Sequence, residues 1–174
     1  ENKFGVKVST VEHLLAALYI ANIDNAVIEI NNEEVPIMDG SAREFLNILD
    51  QIETQTLKKK RKYLKILNKI ELLDGEREIS IEPNRSSFEV DFQLSYKNTI
   101  IGNQRNTINF EKDDLDDVIG SRTFCLYEDI EKIKKAGLAK GGSLDNAVVV
   151  NGSHVMNKGG LRNKKEFVNH KILD

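Results

Sequence analysis

The chain has 174 residues, 40% hydrophobic and 30% charged, enough for one large domain or two small ones with real cores. A net charge of −3 and a pI near 5.7 exclude a general pull toward nucleic acid or anionic membrane, while leaving room for a compact basic site for a phosphorylated ligand. The single cysteine, Cys125, excludes a disulfide framework and points to a reducing compartment, and no apolar run approaches the roughly 18–20 residues of a membrane span.

Residues 1–9 read as the end of a strand. Ser9-Thr10-Val11-Glu12 is a capping-box pattern, and Val11, Leu14, Leu15 and Leu18 then form an apolar stripe at helical spacing. Asn22–Asn25 makes a turn, and Ala26–Ile30 predicts a strand. A second capping box, Ser41-Ala42-Arg43-Glu44, opens a helix with Phe45, Ile48, Leu49 and Ile52 on its buried side. The basic run at residues 58–62 reads as a solvated linker in preference to a phosphate patch. Beyond it, Tyr63–Leu72 and Glu78–Glu82 flank the hairpin dipeptide Asp74-Gly75, and Phe88–Leu94 alternates as a half-buried strand does. A short strand at Thr107–Phe110 precedes an acidic helix at Asp113–Ile119. Tyr127–Ala136 is helical, Asn146–Val150 is a buried strand turning at Asn151-Gly152, and Asn163-Lys164-Lys165-Glu166 is a third capping box that opens the last helix. Strands and helices mix without regular alternation, so the expected class is α+β, with two such units side by side and a cleft between them.

The chemistry rests on few residues. His13 lies opposite the Val11, Leu14, Leu18 stripe, among Ala16, Ala17 and Ile20, a small-residue face that lets another element approach. Beside it, Glu12 taken alone reads first as the capping-box glutamate. On the last helix Phe167, His170, Lys171 and Asp174 share one arc, and His170 and Asp174 stack one turn apart. An imidazole and a carboxylate at that spacing suit zinc, with His13 available as a third ligand and a position left for water. A surface hydrogen-bonded pair explains the same spacing equally well. Thr123 is placed either to donate to a developing oxyanion or to cap a helix. Gly141-Gly142-Ser143 reads as a plain turn before a phosphate cradle, His154 as a surface residue and Cys125 as a small core residue.

The blocks Val8–Leu18, Ile23-Asp24-Asn25-Ala26, Glu34–Ala42, Ser121-Arg122-Thr123-Phe124, Gly137-Leu138 with Gly141–Ala147, and Phe167–Asp174 resemble, in order and over nearly the whole chain, the UDP-3-O-acyl-N-acetylglucosamine deacetylases. That resemblance implies two similar α+β domains with the active site in the cleft between them. It divides the chain into residues 1–56 (the C-terminal part of the first domain), a basic linker at 57–62, and residues 63–174 (the second domain). The second carries an insert near 127–161 that shelters the acyl chain. It also implies further strands upstream and a further aspartate and histidine downstream, so the chain is expected to lack N- and C-terminal parts. The implied activity is zinc-dependent removal of acetate from the sugar nitrogen, the committed step of lipid A synthesis in Gram-negative bacteria. By the same resemblance His13, His170 and Asp174 are the zinc ligands, Glu12 the general base and Thr123 the oxyanion donor, while Lys171 and Phe124 contact substrate. The expected protein is a cytoplasmic monomer acting on UDP-3-O-acyl-N-acetylglucosamine, with no nucleic-acid partner and no transmembrane segment. The alternative class is a non-catalytic module that keeps the fold, and acetate release separates the two.

Overall fold

The computed structural model describes residues 2–85, 87–135, 137 and 141–174. Ala136, the end of one expected helix, and Leu138, part of a family-like block, lie outside the described residues. The architecture is mixed α+β. Helices α1 (Glu12–Ile20) and α2 (Arg43–Leu49) come first, followed by the hairpin β1 (Ile70–Asp74) and β2 (Arg77–Ile81). A second antiparallel pair, β3 (Glu89–Ser95) and β4 (Asn103–Asn109), leads to α3 (Asp116–Ile119). Then come β5 (Phe124–Leu126), a 3-10 turn at Tyr127–Asp129, α4 (Ile130–Lys135), β6 (Val148–Asn151), β7 (His154–Val155) and α5 (Glu166–Leu173). In the third small sheet β5 runs parallel to β6, which pairs antiparallel with β7. Among the described residues no helix is long and apolar enough to cross a membrane.

Helix α5 is the centre of the molecule. It packs against α1, α3, β3 and β4, and Phe167, Val168, Ile172 and Leu173 are buried together with Glu166, Asn169 and His170. Full burial of an aliphatic or aromatic side chain of this size contributes about 1.5–3 kcal/mol. The apolar residues of α5 therefore offset the cost of enclosing three polar neighbours on the same helix. Strand β3 shows the expected alternation, with Val90, Phe92 and Leu94 turned inward and their neighbours exposed. Strand β6 is buried through Val148, Val149 and Val150, which is why an unbroken valine run serves there and alternation does not.

Several local expectations are corrected. None of the three capping boxes forms: α1, α2 and α5 have no side-chain cap hydrogen bond. Thr10 instead donates to the Glu34 carboxylate at 2.8 Å, and Ser9 to the Glu33 carbonyl. Thr10 also takes a left-handed backbone (φ 56°), strained for a β-branched residue and unsuited to an N-cap. The Ser41 hydroxyl accepts from the Arg43 amide and donates to Asp39, a tighter turn than the box requires. On α1 the buried line is His13 and Ala17, while Leu15 is exposed. On α2 Phe45 is buried with Leu46 and Leu49 beside it, and Ile48 and Ile52 face solvent. Ala26–Ile30 forms no paired strand among the described residues, and the first hairpin strand is confined to Ile70–Asp74. From the basic run, Arg61 donates to the Asp24 carboxylate and the Asn22 carbonyl, tying this stretch back to the turn after α1.

Candidate metal centre

Residue His13 reaches the centre because Ala17, one turn further along α1 and fully buried, lets the helix approach its neighbours closely. His170 comes from the middle of α5, and Asp174 stands one turn beyond it. The fold thus brings His13 to two residues more than 150 positions further along the sequence, His170 and Asp174. Their ligand atoms lie within 4.8 Å of one another. Asp174 Oδ1 is 3.7 Å from His13 Nε2 and 3.5 Å from His170 Nε2, and the imidazole rings meet edge to face at 5.0 Å.

The two distances to Asp174 lie close to the spacing between zinc ligands. Ligands about 2.0–2.2 Å from a tetrahedral ion stand about 3.3–3.6 Å apart, whereas direct hydrogen bonds would be nearer 2.9 Å. The electrostatics agree. Burial pushes the pKa of His170 down to about 4, against the opposing pull of Asp174. Burial likewise lowers that of His13, with Asp174 and Glu12 pulling the other way. Both rings are neutral near pH 7, so no proton competes for the nitrogen lone pairs. His170 Nδ1 lies 3.0 Å from the Ser121 carbonyl oxygen, which only accepts; Nδ1 therefore carries the hydrogen, and Nε2 keeps its lone pair facing Asp174. His13 Nδ1 is buried without a hydrogen-bond partner among the described residues.

Around this triad, Lys171 Nζ donates to Asp174 Oδ2 at 2.6 Å and stands 5.7 Å from the centre of the Phe124 ring. Phe124 packs edge-on against Phe167 and, at 6.4 Å, against His170. Glu12 is exposed in the first turn of α1 and forms no hydrogen bond among the described residues, so the capping role is closed to it. Thr123 is held by its backbone, donating to the Gly40 carbonyl and accepting from the Val148 amide at 2.8 Å each. Its hydroxyl has no hydrogen bond within the described residues, and it is not drawn into the triad. Gly141 and Ser143 form a turn closed by the Asn146 side chain, and burial raises the Cys125 thiol above its ordinary pKa. His154 is exposed on β7.

What the residue patterns did not signal is the buried pair Arg122–Glu166. Glu166, read from sequence only as a capping residue, is 0% exposed and accepts from Arg122 Nε at 2.8 Å, from the Arg122 amide and from the Arg162 amide. Arg162 in turn donates to Asp39 Oδ2, Ser41 and the Gly120 carbonyl. A glutamate one helical turn before His170 was the available hint.

Residues 2–174 match the family described as UDP-3-O-acyl N-acetylglycosamine deacetylase (LpxC). The chain is 41% identical over 176 residues to a protein of Phenylobacterium zucineum named UDP-3-O-acyl-N-acetylglucosamine deacetylase; the match covers 99% of this chain and 59% of the relative. Proteins of the same name from Nautilia profundicola and Syntrophotalea carbinolica are 39% and 44% identical, over 98% and 99% of this chain and 58% and 56% of their own lengths. The chain thus spans under three fifths of the length of these relatives.

Proposed function

This chain belongs to the family of UDP-3-O-acyl N-acetylglycosamine deacetylases, and from that membership we propose that it is a zinc-dependent hydrolase. It removes the N-acetyl group from UDP-3-O-acyl-N-acetylglucosamine, the committed step of lipid A synthesis. The observation that carries the reading is the convergence of His13, His170 and Asp174 at ligand spacing. Residues 1–56 and 63–174 are then parts of two similar α+β domains with the site in the cleft between them, and residues near 127–161 shelter the acyl chain. A UDP-sugar substrate and one lone cysteine suit a cytoplasmic enzyme, which we take to act as a monomer.

A zinc ion held at this site would supply Lewis acidity, which lowers the pKa of a water toward neutral and polarises a carbonyl. His13, His170 and Asp174 would hold it. Glu12, next to one ligand and free of any capping bond, takes a proton from the attacking water and delivers it toward the leaving amine. The Thr123 hydroxyl, unpaired among the described residues, donates to the carbonyl oxygen as that oxygen gains charge. Phe124 offers an apolar wall beside the reacting group, and Lys171 a cation for the nucleotide-sugar.

Incubation of the protein with UDP-3-O-acyl-N-acetylglucosamine is expected to release acetate and the free amine in equal amounts. No release under zinc-replete conditions would leave the chain a non-catalytic module. Zinc content separates the roles further. His13→Ala and His170→Ala are each expected to drop zinc well below one per chain. Lys171→Ala should keep it near one while raising KM, despite the lost bond to Asp174. Zinc lost together with activity in Lys171→Ala would make Lys171 a support of the metal site and remove its substrate role.

A further inference from the structure

The peptide unit joining Ser121 to Arg122 is gripped on both sides by one face of α5. Its carbonyl oxygen accepts from His170 Nδ1, and its amide donates to Glu166 Oε1 at 3.1 Å. Glu166 and His170 are four residues apart and therefore lie one above the other on the helix. The Arg122 side chain then folds back onto the same carboxylate, donating from Nε at 2.8 Å and from a terminal nitrogen at 3.2 Å, and reaches the Gly160 carbonyl with that second nitrogen. Both partners are enclosed, with side-chain exposures of 9% and 0%.

We propose that Arg122 and Glu166 are positioning residues for His170. They fix the orientation of the Ser121–Arg122 peptide, whose carbonyl in turn fixes the His170 tautomer and aims Nε2 at Asp174. The proposal rests on the reading of His170 as a metal ligand. The physical reason is that a carbonyl can only accept: while it faces Nδ1, the proton must sit there and the lone pair must sit on Nε2. If the peptide rotates, that restraint is lost: the Asp174 carboxylate, 3.5 Å from Nε2, then draws the hydrogen there, and rings present an N–H where a ligand is needed. Partners that orient a ligating histidine in this way typically change metal affinity about 10–100-fold when removed. A buried ion pair kept only for stability has a different signature, because apolar residues of similar volume often replace it without loss.

The test uses the paired substitution Arg122→Met with Glu166→Met, and separately Glu166→Gln, on the whole chain. Two quantities are read besides thermal stability: the His170 tautomer in metal-free protein, from its two ring 15N shifts, and the affinity for Co²⁺, from its visible absorption. The unsubstituted protein is expected to show His170 as the Nδ1–H form and to bind one Co²⁺. The Met pair should fold, show mixed tautomers and bind Co²⁺ about 10–100-fold more weakly. A folded Met pair with the original tautomer, or with unchanged Co²⁺ affinity, overturns the proposal. Should the Met pair fail to fold, Glu166→Gln, which keeps the shape but weakens the hold on Arg122, is judged by the same two readings. Failure of the unsubstituted protein to bind Co²⁺ would instead remove the metal reading itself, which the tautomer measured without metal does not depend on.

Discussion

Replacing Glu12 with glutamine is expected to lower kcat by about 10²–10⁴-fold, the usual contribution of a placed general base, while zinc content, KM and thermal stability stay close to those of the unsubstituted protein. Glutamine has the same shape but cannot take a proton. The stability expectation follows from the structure, since α1 has no side-chain cap and Glu12 makes no hydrogen bond among the described residues. Its charge does act on His13, whose pKa Glu12 raises against the effect of burial, so a small change in metal affinity with pH is compatible with the role. Turnover within a fewfold of normal would leave the reaction without its base. Lost zinc would make Glu12 part of the ligand shell.

Alanine at Gly40 is expected to destabilise the fold by about 2–6 kcal/mol. Gly40 has φ of +84°, and a Cβ there would stand 1.9 Å from the Asn146 carbonyl oxygen. Left-handed strain accounts for about 1–3 kcal/mol of the loss, and the overlap with backbone that cannot swing aside accounts for roughly as much again. At about 2–4 °C per kcal/mol for a chain of this size, Tm should fall on the order of 10 °C. The effect reaches the site because the Gly40 carbonyl accepts from the Thr123 amide, so a displaced turn carries Thr123 with it. Gly75→Ala is the control: φ is +60° but nothing lies within 4 Å, so only the backbone term applies, about 1 kcal/mol. Equal losses at the two positions would show that the contact with Asn146 relaxes, and that Gly40 is needed only for its backbone angle.

Much of the site was legible along the chain. His170 and Asp174 are four apart, and helical geometry alone puts them on one face, a spacing that a surface hydrogen-bonded pair explained equally well. The alternation of Val90, Phe92 and Leu94 predicted a half-buried strand, and the structure has it. The family-like blocks, from Val8–Leu18 through Phe167–Asp174, carried the family assignment and implied the role proposed for His13, which spacing by itself left open.

What the tertiary structure decided is where polar side chains spend their hydrogen bonds. Three capping boxes were read, and none formed. Thr10 went to Glu34, Ser41 bonded to Asp39 and Arg43, and Glu166 went to Arg122 and the Arg162 amide. On α1 the stripe held in part: Val11 and Leu14 pack on the core and the small-residue face at His13 and Ala17 is buried against its neighbours, but Leu15 is left outside. Sequence patterns report local preference worth about 1 kcal/mol for a cap. A charged hydrogen bond to a buried partner contributes more, about 1.5–3 kcal/mol, and so overrides it. The composition of the triad could thus be read from the chain, whereas the grip on the Ser121–Arg122 peptide that aims His170 exists only once residues 44 positions apart are folded together.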